Sequence, residues 1–199
     1  MNRANRIATV AFAAAALLGA NLATATTVQK FTLSDLAKKS ESIVLARVDD
    51  QSSRWDDNHK EIYTFITLHV LEPVKGAKGE TTITLRQLGG SVDNLISVVP
   101  GMPTFRKGEE VVLFLSPKDR AGYPWVMGLQ QGKYTVVTDA NGMKHVRNDV
   151  DGLRTMAPNG TVSEAKVSTE QPLNAFLDGI KTQLNLEGKV QVDPTTPTE

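Results

Sequence analysis

Residues 61–71 place the strongest constraint on the fold, because their apolar and polar side chains alternate along the chain. Such alternation is typical of a β-strand, in which successive side chains point to opposite faces of a sheet. One set is mostly aliphatic, and the other carries aromatic and polar groups. The first set is Ile62, Thr64, Ile66, Leu68 and Val70, and the second is Tyr63, Phe65, Thr67 and His69. The segment therefore predicts a long strand with one buried face.

Six further segments have the composition of strands. Residues 81–88 repeat the alternation, whereas residues 111–115 form a continuous apolar run, which is typical of a central strand covered on both faces. Residues 133–138 and 143–147 flank Asn141-Gly142, a pair that favours a tight hairpin turn. The remaining two segments are residues 43–48 and 125–129.

Two segments have the spacing of amphipathic helices. In residues 31–40 the apolar side chains recur at intervals of three and four, and Thr32 or Ser34 can cap the first turn. Residues 172–186 carry a longer stripe of the same kind. We therefore predict a mainly β fold: a small, closed or partly open OB-like barrel of five to six strands, with a short N-terminal helix and a C-terminal helix.

On this interpretation the chain divides into five segments. The stretch after the last hairpin is polar and lacks periodicity, and the C-terminus is rich in Pro and Thr, a composition that favours disorder. The segments are 1–25, a signal peptide; 26–148, the β-barrel domain; 149–171, an irregular linker; 172–186, the C-terminal helix; and 187–199, a disordered tail.

The N-terminus has the pattern of a secretory signal. Arg3 and Arg6 precede an uncharged apolar run, residues 7–20, which is shorter than the roughly 20 residues of a membrane-spanning helix. Ala23-Thr24-Ala25 is a small-residue cleavage site, and cutting after Ala25 makes Thr26 the new N-terminus. The alternative is an uncleaved membrane anchor. We predict a periplasmic or secreted protein with no membrane span in the mature chain.

Composition excludes several classes of function. The formal charge is +0, and removal of the signal peptide changes it only to −2, so no strong field recruits nucleic acid or an anionic membrane. The sequence contains no Cys, which rules out disulfides, thiol chemistry and thiolate metal sites. The apolar core alone must therefore stabilise the fold.

No catalytic motif stands out. The three histidines, His59, His69 and His145, do not have the spacing of metal ligands. The sequence also lacks the nucleophile motif G-x-S-x-G and a phosphate-binding loop. We predict a non-enzymatic domain without a cofactor. The alternative from another class is a hydrolase with an unrecognised pair of carboxylates, and a third interpretation is a purely structural component of the envelope.

Two segments are candidates for binding a partner. The stretch from Gly89 to Gly108 is long for an irregular loop in a compact domain, and such loops are usually functional or mobile. Residues 55–59 form the densest cluster of oxygen donors; a solvated hairpin tip is the preferred interpretation, and a calcium site the alternative. The aromatic Trp125 is interpreted as a plug at one end of the barrel. The candidate partner-binding residues are Trp55, Asp56, Asp57, Pro100, Met102 and Phe105, and the predicted partner is a protein of the envelope or secretome.

Three stretches resemble a family of secreted bacterial proteins that has no assigned function. Residues 36–48 (LAKKSESIVLARV) are similar to its opening motif, and residues 70–76 (VLEPVKG) to the end of one of its strands. Residues 105–115 (FRKGEEVVLFL) are similar to its Phe-x-x-Gly-Glu motif followed by an apolar strand. The order of these motifs, over about residues 33–147, also resembles the netrin-like domains, including the tissue inhibitors of metalloproteinases. This resemblance implies an OB-type barrel.

The resemblance to the inhibitors also implies a specific alternative function. Those inhibitors bind a zinc ion through the amine and carbonyl of an N-terminal cysteine that a disulfide holds in place. Here the predicted N-terminal residue is Thr26, and the chain has no cysteine. A metalloprotease-inhibitor-like module acting through the mature N-terminus would need another means of holding that segment rigid.

Overall fold

The structure is a computed structural model that describes residues 27–190. The predicted signal peptide and the cleavage residues Ala23, Ala25 and Thr26 lie outside the described residues, as do residues 191–199.

The described chain is mainly β and contains two helices, as predicted. Strands in the first half are β1 (Thr27–Gln29), β2 (Ser42–Trp55), β3 (Ile62–Lys75), β4 (Thr82–Leu88), β5 (Gly90–Val92) and β6 (Leu95–Ser97). Strands in the second half are β7 (Glu110–Leu115), β8 (Lys133–Thr138), β9 (Lys144–Arg147), β10 (Arg154–Met156), β11 (Val162–Glu164) and β12 (Gln171–Pro172).

Helix α1 (Leu33–Lys39) begins at a reciprocal cap between two side chains. The Thr32 hydroxyl accepts from the Asp35 amide at 3.0 Å, and the Asp35 carboxylate accepts from the Thr32 amide at 2.9 Å. The hydrogen bonds from Thr32 lower the pKa of Asp35. Of the two predicted caps, Thr32 and Ser34, it is Thr32 that caps this helix.

Helix α2 (Leu173–Val190) begins beside β12 and continues four residues into the segment 187–199, which we predicted as a tail. Within the described residues, no helix is both long enough and apolar enough to cross a membrane.

Seven strands form one antiparallel sheet in the order β12-β9-β8-β7-β2-β3-β4. The two longest strands, β2 and β3, pair along most of their length with three register shifts, at Ile43/Val44, Leu45/Ala46 and Val48/Asp50. Shifts of this kind bend a strand and increase its twist. A second sheet has the order β1-β10-β11, with β1 parallel to β10, and β5 pairs with β6 as a hairpin.

The strand β7 is buried on both faces, as predicted for residues 111–115, and so are residues 43–46 of β2. One face packs on the helices, and the other faces an apolar core enclosed by β3 and β4. The helix-side core includes Ile43, Leu45, Val112, Phe114, Phe176 and Ile180. The opposite core includes Val44, Val48, Ile66, Leu68, Leu85 and Leu113.

The large sheet is open in its strand pairing, because the end strands β4 and β12 do not pair with each other among the described residues. A bridge nevertheless links β4 to β7 through residues 124–127. Val126 pairs with Leu115, and the Arg86 amide of β4 donates to the Pro124 carbonyl at 3.4 Å. The chain also has more strands than the five to six we predicted.

Several segments predicted as irregular contain strands. β2 continues through polar residues to Trp55, the segment Gly89–Gly108 contains β5 and β6, and the predicted linker 149–171 contains β10 and β11. These strands are short or polar, so their side chains show no apolar alternation. Main-chain pairing with a neighbouring strand forms them instead, and that pairing leaves no pattern in the sequence.

Candidate partner-binding surface

The hairpin β5–β6 follows directly after β4, and its first strand lies against β2 and β3. Its turn is only two residues long, Asp93-Asn94, and Asp93 adopts φ 52°. Asp tolerates this left-handed conformation better than most residues, which suits a tight turn.

Glycine at the base of the hairpin allows a close approach to the sheet. A Cβ atom at Gly90 would lie 2.3 Å from Thr64 Oγ1 and 2.4 Å from Ser53 Oγ, which leaves no room for a side chain. The buried Thr64 hydroxyl donates to the Gly89 carbonyl at 2.7 Å, and the Gly89 amide donates to the Ile62 carbonyl at 2.7 Å. The hairpin is therefore fixed to β2 and β3 at its base.

The second strand of this hairpin and the residue after it expose apolar side chains. Leu95 is 57% exposed, Ile96 75% and Val98 79%. Single exposed apolar residues are common on protein surfaces, but a cluster within four positions is typical of a binding site. We call Leu95, Ile96 and Val98 the apolar hairpin surface.

Two grooves flank the apolar hairpin surface. The smaller has a volume of about 280 Å³ and is lined by Trp55, Lys60, Leu95 and Ile96, among others. The larger has a volume of about 530 Å³ and includes Met102 along with Ile96 and Val98. The structure thus brings together the two segments that the sequence marked separately, the Trp55 tip and the Gly89–Gly108 segment.

The Trp55 tip is a turn stabilised by its own side chains. The Trp55 ring stacks on His59 with a centroid distance of 6.2 Å. The Asp56 carboxylate accepts from the Glu61 amide at 3.1 Å and the Lys60 amide at 2.6 Å, and these bonds lower the pKa of Asp56. The carboxylate thus serves the turn itself. Among residues 27–190, no cluster of three or more His, Asp or Glu side chains is placed to hold a metal ion.

The remaining predicted partner-binding residues differ in their exposure. Asp57 and Pro100 are exposed, and Met102 is half-buried in the wall of the larger groove. Phe105 does not belong to the predicted surface, because it is only 6% exposed and packs in the core between β2, β3 and β7. Its ring also lies beneath the Lys133 ammonium, which is 4.8 Å from the ring centroid. A partner on the surface would not reach it.

The sequence did not single out the apolar hairpin surface. The available signal was the run Leu95-Ile96-Ser97-Val98-Val99, which is apolar within a segment otherwise rich in Gly, Pro and polar residues.

The interpretation of Trp125 as a plug was wrong. Trp125 is 50% exposed, and its neighbour Val126, at 6%, occupies the core position.

No family model matches this chain, and no curated protein matches it.

Proposed function

We propose that this chain is a secreted or periplasmic, non-enzymatic domain that binds a protein through the apolar hairpin surface and the adjoining Trp55 groove. The observation that carries this proposal is the exposure of Leu95, Ile96 and Val98 beside a groove walled by an aromatic ring. Exposed apolar side chains next to a Trp ring are typical of the centre of a protein–protein interface.

The fold that we propose for the domain is a partly open OB-like barrel. The contacts of residues 124–127 support it, because the Trp125 carbonyl accepts from the Ser116 amide at 3.0 Å while the Pro124 carbonyl accepts from Arg86 of β4. These residues join the end of β7 to the end of β4, so that β2, β3, β4, residues 124–127 and β7 surround one core. The β5–β6 hairpin then lies at the rim of this barrel, where OB-like domains carry their binding loops.

The partner that suits this surface is a protein with an extended apolar segment. Among residues 27–190, the strand β6 pairs with β5 and with no other strand, so its other edge retains main-chain groups that a second chain can pair with. The charged residues of the smaller groove are one Lys and one Glu, Lys60 and Glu61, and their charges balance. Apolar contact and strand pairing, rather than charge, would therefore provide the affinity.

Removing the apolar side chains tests this proposal. We expect the double variant Ile96→Ser/Val98→Ser to lose at least tenfold in affinity for the partner, because burial of these two side chains supplies most of the apolar contact. The midpoint of thermal unfolding should change little, since both side chains are exposed in the free protein. The measurement is affinity capture from the native secretome, followed by titration of the purified partner.

A matched control is Met143→Ser, which removes a side chain that is 55% exposed on another hairpin. Capture of the same set of proteins by the parent, the control and the double variant would contradict the proposal. Binding of the parent protein to neutral phosphatidylcholine vesicles, lost in the double variant, would assign the surface to lipid instead.

A second candidate function is the metalloprotease-inhibitor-like module, because the chain after the predicted cleavage site is held firmly. β1 pairs with β10, and the side-chain amide of Gln131 spans the segment, donating to the Gln29 carbonyl at 2.8 Å and accepting from the Phe31 amide at 2.9 Å. Cleavage after Ala25 would leave one residue ahead of β1. A buried glutamine and a strand would then do what a disulfide does in the tissue inhibitors.

If this candidate is correct, adding one residue before Thr26 should weaken inhibition of a secreted zinc metalloprotease at least a hundredfold, because the α-amine could no longer reach the metal. The same residue added after Glu199 is the control and should have no effect. Full inhibition by the N-terminally extended protein would exclude this mechanism. The hydrolase alternative stays a prediction, which a screen of hydrolase substrates tests directly.

A further inference from the structure

A groove of about 440 Å³ lies on the helix side of the molecule and is not part of the apolar hairpin surface. It lies between α1, β8 and the small sheet β1-β10-β11, and residues 163–168 form one wall. That wall is held at two points. The Ala165 amide donates to the Leu153 carbonyl at 2.7 Å, and the Ser168 hydroxyl accepts from the main-chain amide of Asn148 at 3.0 Å. We call this cavity the N-terminal groove.

The inner lining of the N-terminal groove is apolar and partly aromatic. Leu36, Tyr134 and Val150 are buried, and Phe31 is half-buried beside them. The Tyr134 ring is held in place by Phe176, at a centroid distance of 4.6 Å. Such a lining favours a ligand with a flat apolar body.

Buried polar side chains in the lining are already oriented by hydrogen bonds. Gln131 is 6% exposed and bridges Gln29 and Phe31, and Asn148 is 5% exposed and donates to the Gln131 carbonyl at 2.8 Å. Thr155 is also buried, and its hydroxyl donates to the Ser163 carbonyl at 3.3 Å. A cavity with an apolar lining and a few fixed polar groups is the usual composition of a small-molecule site.

The charges around the N-terminal groove favour an anion. Its charged lining residues are Lys30, Lys166 and Glu164, and all three are exposed at the mouth. Outside the lining, the Lys39 ammonium lies 4.9 Å from the centroid of the Phe31 ring, but it interacts with the Asp35 carboxylate, whose charge offsets its own. Positive charge therefore exceeds negative charge where a ligand would enter, although the protein as a whole is neutral.

We propose that the N-terminal groove binds a small organic anion with a flat apolar body, of the class of aromatic carboxylates. The apolar body would lie against Phe31, Tyr134 and Val150, and the carboxylate would face Lys30 and Lys166. A cavity of this volume accommodates roughly 10 to 20 non-hydrogen atoms. The site is separate from the apolar hairpin surface, so its test does not depend on the protein partner.

Two probes that differ in charge test the proposal: 2-naphthoate and the neutral 2-naphthalenemethanol, titrated into the ¹⁵N-labelled protein. We expect both to shift the amide signals of residues 30–31 and 163–168, with 2-naphthoate binding about 5 to 10 times more tightly, because each ammonium contributes a modest, solvent-screened attraction. The double variant Lys30→Met/Lys166→Met should bring the two affinities within about twofold of each other.

Lys107→Met is the matched control, because the Lys107 side chain is 75% exposed and does not line the groove. It should leave the difference between the probes unchanged. Three results would overturn the proposal: equal affinities of the two probes for the parent protein, signal shifts confined to the apolar hairpin surface, or no saturable shift up to the solubility limit of 2-naphthoate.

Discussion

Replacing Gln131 by Leu is expected to free the N-terminal strand and to lower the free energy of unfolding by about 2 to 4 kcal/mol. The Gln131 side chain donates to the Gln29 carbonyl at 2.8 Å and to the Gly128 carbonyl at 3.1 Å, and accepts from the Phe31 amide at 2.9 Å. Leucine fills a similar volume but leaves the Gln29 carbonyl and the Phe31 amide without this partner, whereas the Gly128 carbonyl still accepts from the Gln131 main-chain amide at 3.2 Å. Because Gln131 is only 6% exposed, water replaces those bonds incompletely.

Two measurements check this prediction. Urea unfolding gives the change in the free energy of unfolding, and hydrogen exchange reports whether the amides of residues 27–31 lose protection. Gln51→Leu makes the same change at an exposed position of β2 and should alter stability by no more than about 0.5 kcal/mol. If Gln131→Leu changes the free energy of unfolding by no more than this control does, the Gln131 side chain does not hold the N-terminal segment.

Replacing Gly132 by Ala is expected to lower the free energy of unfolding by about 3 kcal/mol or more. An ideal Cβ atom at this position would lie 2.0 Å from the Met127 carbonyl oxygen and 3.1 Å from Val126 Cγ1. The first contact is with the main chain, which cannot turn aside as a flexible side chain would. Residues 126–132 must therefore move, although Val126 is paired to β7 and Gln131 holds the N-terminal segment.

The same substitution at Gly179 should have the opposite sign. Gly179 lies in α2, and a Cβ atom there would meet nothing within 4 Å. Alanine in a helix is favoured over glycine by roughly 0.5 to 1 kcal/mol, so Gly179→Ala should stabilise the protein. Thermal and urea unfolding of both variants check the pair; a Gly132→Ala protein as stable as the parent would show that the contact with Met127 is relieved without strain.

The sequence predicts the parts of this fold in which side chains decide the structure. Residues 61–71 alternate because one face of β3 is buried, and Asn141-Gly142 marks a turn because few residues adopt its conformation. The strands β10 and β11 have no such pattern. They form because β10 makes main-chain hydrogen bonds with β1 on one side and with β11 on the other. Pairing between β1 and β10, which lie far apart in the sequence, is not encoded in local composition.

The candidate surface was predictable as two segments but not as a set of residues. The length of the Gly89–Gly108 segment and the polar Trp55 tip marked the region, yet only the positions of Gly90 and Thr64 show how the hairpin attaches. Phe105 illustrates the limit, because a phenylalanine after a Pro-rich loop is equally suited to a surface contact or to the core. Its burial depends on the enclosure formed by β2, β3 and β7, which is a property of the whole sheet.

The contact between Gln131 and the N-terminal segment also fixes the order in which the protein can complete its folding. Phe31 and Gln131 are 100 positions apart, and β1 must pair with β10, which comes still later. In the export that we propose, the N-terminal segment emerges first and has no strand to join until β10 has followed it. Closing so long a loop is slow compared with forming the β2–β3 hairpin. The small sheet therefore cannot form before β10 and β11 have emerged, and until then the segment next to the predicted cleavage site has no strand to pair with.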